Sequence, residues 1–267
     1  MSTKQRLDII LCEKGLADSR QKAQQYIMAG EVYVNDVRID KPGTSVRDDA
    51  RIEHRGAACP FVSRGGYKLD KAIGCFAINL NGTNCMDIGA STGGFTDCML
   101  QNGANHVYCI DVGYGQLAWK LRNDERVTNY ERTNVRALTH EQVPQQLDFI
   151  SIDVSFISLT LVLPIAKQFL KPNGSIVALI KPQFEAGREL VGKNGVVRDP
   201  KVHAQVIEKI LAFCHEQELV VSGLSFSPVK GPKGNIEFLL YLSKDKADVD
   251  VAAVVEQAHH NLDGVKE

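Results

Sequence analysis

From residue 84 onward, short apolar runs alternate with segments in which apolar residues recur every three or four positions. The apolar runs predict buried strands, and the segments with the longer period predict amphipathic helices. Strands are expected at residues 84–89, 106–111, 127–131, 147–153, 175–181, 219–226 and 236–243, with helices between them. Asp199 and Pro200 suit the start of one such helix, over 199–215. The alternation predicts an α/β domain with a mainly parallel sheet and helices on both faces.

The connection between the last two predicted strands is short. It consists of residues 228–235, with the sequence PVKGPKGN. A crossover helix does not fit into this length, so the two strands are expected to pair antiparallel or nearly so. Six parallel-type strands with one late antiparallel strand are the layout of the class I, Rossmann-like methyltransferase sheet, rather than of the dinucleotide-dependent dehydrogenase sheet.

Residues 4–55 follow a different pattern, which predicts a small α+β unit. One helix is expected over 4–15, ending at Gly15, and a second from an N-cap at Ser19 to Gly30. Short β-type runs follow at residues 32–34, 37–39 and 51–54, with a hairpin turn at Asn35-Asp36 between the first two. About 55 residues is near the lower limit for a unit that folds by itself.

This unit resembles the S4 RNA-binding module. The residues that carry the resemblance are Arg6-Leu7-Asp8, Gly15, Ser19-Arg20, Ala23, Ile27, Gly30, Val32, Val34-Asn35, Lys41-Pro42 and Val46. The resemblance implies RNA binding by basic residues on one face, for which Arg6, Arg20, Lys22 and Arg38 are the candidates. Net charge does not support this by itself, because residues 1–60 hold ten basic and nine acidic side chains.

A glycine-rich turn follows the first strand of the larger domain, over Asp87–Asp97 (DIGASTGGFTD). Its spacing differs from G-x-G-x-x-G, which binds dinucleotides, and from G-x-x-x-x-G-K-[ST], which binds nucleoside triphosphates. An acidic residue, Asp111, ends the next predicted strand, where a carboxylate can accept hydrogen bonds from both hydroxyls of a ribose. Turn and acid together predict a site for S-adenosylmethionine.

Four charged residues occur where such a sheet would place a reaction site. Asp153 and Lys181 end the fourth and fifth predicted strands, at the edge where open α/β sheets bind ligands. A lysine that ends an apolar, buried strand is costly unless it faces a site. Lys68 lies at the start of a helix, where a positive charge is unfavourable to the helix dipole. Glu237 is expected in the last strand, and the four residues together predict one mixed pocket.

These motifs resemble the FtsJ-like ribose 2′-O-methyltransferases and, together with the S4 pattern, the TlyA family of ribosomal-RNA (cytidine-2′-O)-methyltransferases, historically named haemolysins. The further carriers are Val62–Leu69, Asp111–Leu117, Asp153–Ser158, Lys181–Glu185 and Gly234–Phe238. The resemblance implies a catalytic tetrad of Lys68, Asp153, Lys181 and Glu237. It also implies cofactor-binding residues Asp87, Gly89, Ala90, Ser91, Gly93, Gly94, Asp111 and Asn134, and Arg64 as a further RNA contact.

The residue types suit methylation of a hydroxyl, which must lose its proton as the methyl group arrives. A free lysine is protonated at neutral pH and cannot accept that proton. A second ammonium group nearby and partial burial both lower the pKa of a lysine. We therefore expect Lys68 and Lys181 to divide two roles, with Lys181 as the base and Lys68 charged. Asp153 and Glu237 would orient the lysines and the hydroxyl.

The expected domains are an S4-like unit over 1–58, a linker over 59–63, a methyltransferase domain over 64–244 and a C-terminal tail over 245–267. Composition modifies this picture little. The net charge of −1 leaves RNA binding to local patches, and no apolar run reaches the roughly 18 residues of a membrane helix. No signal peptide is expected, and the seven cysteines include no C-x-x-C pair, which predicts a cytoplasmic protein with reduced thiols and no metal.

Three alternatives stay open from the sequence. The chain could be a ribosome assembly factor that binds RNA through the S4-like unit and has an idle methyltransferase domain. It could be a membrane-active cytolysin, although no amphipathic stretch favours this. It could methylate a base, although Asp153-Val154-Ser155-Phe156 stands where amino methylation uses an Asn/Asp-Pro-Pro-Tyr motif. Neither the modified nucleotide nor the choice between small and large ribosomal subunits follows from the sequence.

Overall fold

The structure is a computed structural model that describes residues 4–28, 30–54, 59–231 and 233–263. The side chain of Arg38, one of the basic candidates, lies outside the described part of the chain. The chain divides into two compact units, Met1–Pro60 and Phe61–Glu267. Within the described residues, no helix combines the length and the apolar character that crossing a bilayer requires.

The first unit combines two helices with two small antiparallel sheets. Its helices are α1 (Leu7–Glu13) and α2 (Arg20–Met28), and its strands are β1 (Lys4–Arg6), β2 (Val32–Val34), β3 (Val37–Ile39), β4 (Ser45–Arg47) and β5 (Ile52–His54). The strands form a sheet in the order β3-β2-β5 and a pair β1-β4. Apolar residues from both helices form its core with Val32 and Val46.

Several local predictions for this unit are confirmed. Asn35 and Asp36 form the hairpin turn with φ of 49° and 65°, values that asparagine and aspartate tolerate better than most residues. Ser19 caps α2, because its Oγ accepts a hydrogen bond of 3.2 Å from the backbone N–H of Lys22. The prediction of a helix from residue 4 is wrong, since β1 precedes α1 and pairs with the unpredicted strand β4. The two strands are about 40 residues apart in the chain, so their pairing is a tertiary contact that local periodicity cannot predict.

The second unit is an α/β sheet with helices on both faces. Its helices are α3 (Gly66–Phe76), α4 (Gly94–Gln101), α5 (Trp119–Arg122), α6 (Leu159–Phe169), α7 (Pro182–Glu185), α8 (Pro200–Glu216) and α9 (Val251–Asp263). Its strands are β6 (Asn84–Ile88), β7 (His106–Ile110), β8 (Val127–Tyr130), β9 (Leu147–Ile152), β10 (Leu170–Ile180), β11 (Val221–Phe226) and β12 (Phe238–Leu242). All seven predicted strands are present, mostly within two residues of the expected bounds.

The sheet has the strand order β11-β12-β10-β9-β6-β7-β8. Strands β8, β7, β6, β9 and β10 are mutually parallel, and β12 is antiparallel to both β10 and β11. The predicted class I methyltransferase layout is therefore confirmed. Because β12 runs against its neighbours, it begins at the edge where β9 and β10 end, and Ile180 pairs with Phe238 there.

Helix α9 belongs to the body of this unit. It packs against α8 and β11, and Val255 and Ala258 are buried in the main apolar core. The C-terminal segment, expected to be a tail over 245–267, thus covers part of the sheet. Its apolar residues fall on one side of the helix, which is the side that the core buries.

Candidate active site

The glycine-rich turn between β6 and α4 is shaped by backbone conformations that favour glycine. Gly89 and Gly93 have φ of 85° and 91°, and Ser91 has φ of 49°. A Cβ atom on Gly89 would lie 2.5 Å from the carbonyl oxygen of Asp153, and one on Gly93 would lie 2.3 Å from Leu121 Cδ1. Any side chain at Gly89 would thus collide with backbone, which explains the glycine at the junction between strand and turn.

Asp87 supports this turn from inside the protein. Thr96 donates to its Oδ2 from the backbone N–H at 3.0 Å and from the hydroxyl at 2.7 Å, and the Ser151 hydroxyl donates to its Oδ1 at 3.0 Å. Burial raises the pKa of Asp87 to about 6, although the hydrogen bonds from Thr96 and Ser151 work against the rise. Asp87 lines the cleft, but its carboxylate is satisfied by these protein groups.

Asp111 follows β7 and holds the outer part of the turn. Its Oδ2 accepts a hydrogen bond of 2.7 Å from the N–H of Ser91, and its Oδ1 accepts one of 2.6 Å from the N–H of Gly113. Asn134 is exposed, and its side chain accepts from the N–H of Arg136 at the start of a 3₁₀ turn. Asp111 thus fixes Ser91 directly, whereas Asn134 is occupied in capping.

Lys68, Asp153, Lys181 and Glu237 meet at the edge of the sheet. Lys68 Nζ lies 2.7 Å from Glu237 Oε2 and 3.4 Å from Asp153 Oδ2. Lys181 Nζ lies 2.5 Å from Asp153 Oδ1, and the two groups form an ion pair without good hydrogen-bond angles. Lys181 Nζ also donates a hydrogen bond of 3.2 Å to Ser155 Oγ. Asp153 thus stands between the two ammonium groups.

Backbone geometry explains this convergence. Asp153 and Lys181 directly follow the parallel strands β9 and β10, and Glu237 directly precedes the antiparallel strand β12. Glu237 was expected inside the last strand, but that strand begins only at Phe238. Lys68 comes from the first turn of α3, where the two carboxylates offset the unfavourable interaction of its charge with the helix dipole.

The electrostatics of the cluster assign different states to its members. Lys68 is 8% exposed, and burial lowers its pKa, but the charges of Asp153 and Glu237 outweigh burial and raise it above the ordinary value. Burial raises the pKa of Asp153, but Lys68 and Lys181 outweigh it and lower the value. Lys68 is therefore an ammonium and Asp153 a carboxylate at neutral pH. The sequence reasoning considered only burial and a second ammonium group as causes of a pKa shift, whereas carboxylates determine the shift at Lys68.

The cluster and the turn share one cleft of about 240 Å³. The predicted residues that line it are Lys68, Asp87, Gly89, Ala90, Ser91, Gly94, Asp153, Lys181 and Glu237. Gly93, Asp111, Asn134 and Arg64 are not among its lining residues. The cleft is also lined by Ser63, Gly65, Thr92, Phe95 and Ser155, which the sequence reasoning missed because a small or apolar residue carries no chemical signal by itself.

Comparison with known proteins agrees with this arrangement. The model of the FtsJ-like methyltransferases matches residues 61–244, and the model of the S4 domain matches residues 5–52. The chain belongs to the FtsJ-like methyltransferase family. It is 42% identical over 261 residues to the 16S/23S rRNA (cytidine-2′-O)-methyltransferase TlyA of Mycobacterium tuberculosis, with 97% of each chain covered.

Two further proteins are similar to this chain over nearly their whole length. YqxC of Bacillus subtilis, a candidate rRNA methyltransferase, is 50% identical over 270 residues, which cover 98% of this chain and 96% of YqxC. The solved structure of a candidate hemolysin from Streptococcus thermophilus superposes with a TM-score of 0.78 at 45% identity, covering 98% of each chain. The chain is thus a TlyA-type member of the family.

The residues of the cleft fit the S-adenosylmethionine that this family uses. Gly89 and Gly94 line the cleft where neighbouring segments pack closely, since a Cβ on Gly94 would lie 2.4 Å from Ser63 Oγ. Asp111 follows β7, the strand next to β6, at the position where a carboxylate can bind a ribose diol. The cofactor predicted from the turn is confirmed by the family.

The basic residues predicted to bind RNA are already engaged within the first unit. Arg6 and Arg20 both contact Asp8, at 2.9 Å and 3.0 Å from its Oδ2, and Lys22 pairs with Asp18 at 2.6 Å. Hydrogen bonding to Arg6 holds the pKa of the buried Asp8 well below its usual range. Arg6 and Arg20 stay 46% and 55% exposed, so both can still meet a phosphate. In the second unit, Arg64 is exposed.

Proposed function

We propose that this protein transfers the methyl group of S-adenosylmethionine to the 2′-oxygen of a cytidine ribose in ribosomal RNA, of the small subunit, the large subunit or both. The observation that carries the proposal is the placement of Lys68, Asp153, Lys181 and Glu237 in the same cleft as the glycine-rich turn. The name of the Mycobacterium tuberculosis relative describes this activity. The substrate places its action in the cytoplasm, on ribosomal subunits or their RNA.

S-adenosylmethionine supplies an electrophilic methyl group on a sulfonium. The 2′-hydroxyl gives up its proton as its oxygen forms the bond to carbon, and the sulfonium becomes a thioether. Lys68 is unsuited to accept that proton, because two carboxylates raise its pKa. Lys181 contacts only one carboxylate and is the base, which must give up its own proton before it can accept that of the hydroxyl.

The remaining members of the cluster hold the reacting groups. Asp153 contacts both lysines, and Glu237 contacts Lys68 and also accepts from Gln183 Nε2 at 3.2 Å. The Lys68 ammonium is held between two carboxylates and can stabilise negative charge on the ribose oxygen with little reorganisation. Alignment of that oxygen with the methyl group supplies much of the rate.

The surroundings of the cleft suit a nucleotide. Phe156, which follows Ser155, is 90% exposed and packs against Phe184 with ring centroids 4.9 Å apart. Its φ of 65° is unusual for a bulky residue and turns the backbone directly after Ser155. Exposed aromatic rings stack on unpaired bases. The S4 domain provides a second contact to RNA, with Arg6, Arg20 and Lys22 as the proposed contributors and Arg64 beside the cleft in the methyltransferase domain.

The test uses the full-length protein, labelled S-adenosylmethionine, and three substrates: naked ribosomal RNA, small subunits and large subunits. Products are mapped for 2′-O-methylated nucleotides. We expect calorimetry to show that Lys181→Ala still binds S-adenosylmethionine, while its rate of methyl transfer falls by about 10²-fold or more. The matched control is Lys167→Ala, which removes an exposed lysine that contacts the carbonyl oxygen of Gln217.

Each other outcome points elsewhere. Wild-type rates for Lys181→Ala would refute Lys181 as the base. Failure of the wild-type protein to bind S-adenosylmethionine would favour an RNA-binding assembly factor with an idle domain. Methylation of a base instead of a ribose would refute the assignment of the acceptor. Leakage of liposomes caused by the purified protein would favour the membrane-active alternative.

A further inference from the structure

A chain of polar contacts connects helix α9 to the loop that leads into β12. Lys230 Nζ lies 2.5 Å from Asp263 Oδ1, and His259 Nδ1 lies 2.9 Å from Asp263 Oδ2. His259 Nε2 lies 3.0 Å from Nδ1 of His203, whose Nε2 lies 3.1 Å from the carbonyl oxygen of Val197. We call these five residues the imidazole chain. The methylation chemistry described above uses none of them.

The imidazole chain closes into a ring through Asn235. The N–H of Val197 donates to Asn235 Oδ1 at 3.0 Å, and Asn235 Nδ2 donates to the carbonyl oxygen of Gly195 at 2.9 Å. The N–H of Gly231 donates to the carbonyl oxygen of Asn235 at 2.9 Å. Lys230 and Asn235 belong to the same loop, so both ends of the chain hold the segment directly before Glu237.

The proton count of the chain is fixed by its two ends. The carbonyl oxygen of Val197 and the carboxylate of Asp263 can only accept hydrogen bonds. Three hydrogen bonds through two rings need three protons, and two neutral imidazoles carry only two. With both rings neutral, two lone pairs would face each other at one of the three contacts. We propose that His203 and His259 together hold a third proton, and that the protonated pair positions the loop that bears Glu237.

The surroundings locate the third proton on His259. Burial lowers the pKa of His203 to about 4, so this ring is neutral. Burial raises the pKa of Asp263, but Lys230 and His259 outweigh it and lower the value, so Asp263 is ionised. Among the residues that the structure describes, the charged groups that face the two rings are Asp263, Lys230 and Asp199, the N-cap of α8. Because His259 contacts both the Asp263 carboxylate and the His203 ring, the hydrogen-bond geometry assigns the third proton to His259.

The loop in turn positions Glu237, and this step rests on the proposed function. A Cβ atom on Gly231 would lie 2.8 Å from Glu237 Oε1, so this glycine packs closely against the carboxylate that binds Lys68. When the third proton is lost at higher pH, one contact of the imidazole chain becomes repulsive and the loop is released. His259 and His203 are thus positioning residues that act on the cluster through Glu237.

The first experiment measures the proton count and does not depend on the reaction. Histidine ¹⁵N spectra of the full-length protein, from about pH 6 to about pH 9, report the protonation of each ring nitrogen. We expect a neutral His203 with its proton on Nε2 and a doubly protonated His259 near neutral pH. In Asp263→Asn the amide can donate to His259 Nδ1, so His259 is expected to be neutral at the same pH. Two neutral rings in the wild-type protein near neutral pH would overturn the proposal.

The second experiment measures the positioning. His259→Gln keeps a side-chain N–H toward His203 but cannot titrate. We compare the methyl-transfer rate of wild type with that of His259→Gln. The ratio of the two rates is expected to fall about fivefold as the pH rises from about 6 to about 9, because the wild-type protein loses the hydrogen bond between the two histidines. The matched control is His215→Gln, on the exposed last turn of α8, whose ratio stays flat. A flat ratio for His259→Gln would refute the positioning role.

The two proposals fail in different ways. If the protein is not a ribose methyltransferase, wild type and His259→Gln both lack 2′-O-methylated product, while the ¹⁵N spectra still report three protons. If only the further inference is wrong, methylation proceeds and the spectra or the rate ratio contradict it. Thermal unfolding of each variant verifies that the compared proteins are folded.

Discussion

Lys68 Nζ lies 2.7 Å from Glu237 Oε2, although the two residues are 169 positions apart in the chain. Lys68 is in the first turn of α3, and Glu237 directly precedes β12. The contact exists because β12 is antiparallel, so its first residue shares an edge with the last residues of β9 and β10. A parallel strand in the same place would begin at the opposite edge of the sheet.

Glu237→Gln is expected to lower the single-turnover rate of methyl transfer by about 10²-fold. The change removes one of the two negative charges that hold the Lys68 ammonium, while the amide keeps the shape of the side chain. Affinity for S-adenosylmethionine, measured by calorimetry, should change little because the glycine-rich turn is intact. Glu208→Gln, an exposed change on α8, serves as the control. An unchanged rate would show that Glu237 has no part in the reaction.

Gly89→Ala is expected to weaken the binding of S-adenosylmethionine by at least about tenfold. The backbone at Gly89 has a φ of 85°, and the added Cβ atom would lie 2.5 Å from the carbonyl oxygen of Asp153. Gly82→Ala is the matched control, since Gly82 has a φ of 72° but a Cβ atom there would meet nothing within 4 Å. Calorimetry on both variants separates backbone strain, which they share, from the collision at the cleft. Equal affinities in the two variants would contradict the role of Gly89.

Asp87 is expected to make stability depend on pH. Its pKa is about 6 in the folded protein and about 3.9 in the unfolded chain. Between these values the folded protein binds more protons, so the free energy of unfolding falls as the pH rises from about 4 to about 6 and then levels off. The stabilising contribution of the protonated form is therefore fully present only below about pH 4.

Asp87→Asn removes this titration. Its amide oxygen can accept from Thr96 and its amide N–H can donate to Ser151 Oγ, so the buried contacts persist. Near neutral pH, we expect the free energy of unfolding of the variant to be about 1–3 kcal/mol higher than that of wild type. Near about pH 4, the two free energies of unfolding should be equal. Urea titrations across this range, with the exposed change Asp70→Asn as control, measure the difference. A constant difference at all pH values would refute the assignment.

Asp8→Asn is expected to destabilise the first unit by about 1.5–3 kcal/mol, because charged hydrogen bonds from Arg6 and Arg20 converge on a fully buried carboxylate. The pKa of Asp8 is depressed in the folded protein, so this contribution is present above about pH 4 and is lost as the pH falls below it. Hydrogen exchange over residues 4–54 of the full-length protein measures the effect. Asp18→Asn, which breaks an exposed pair with Lys22, should change exchange little.

Much of the fold could be predicted because its signals are local. The Asp199-Pro200 start of α8 and the Asn35-Asp36 turn depend on residues that are adjacent in the chain. The strand β1 could not be predicted in this way, since Lys4–Arg6 is polar and pairs with the distant segment Ser45–Arg47. The packing of α9 on the core could not be predicted from local sequence either. Its apolar residues are few, and only the fold shows that Val255 and Ala258 are buried in the core.

The sequence by itself determined the α/β architecture, the glycine-rich turn and the residue types available for chemistry, because periodicity, turn preference and side-chain chemistry are properties of short segments. Only the tertiary structure decided which charges meet. It placed Asp153 between Lys68 and Lys181, so that carboxylates set the state of Lys68. It also brought His203 and His259 together from α8 and α9. Electrostatic interactions depend on distance in space, and that distance is fixed by strand order and helix packing rather than by position in the chain.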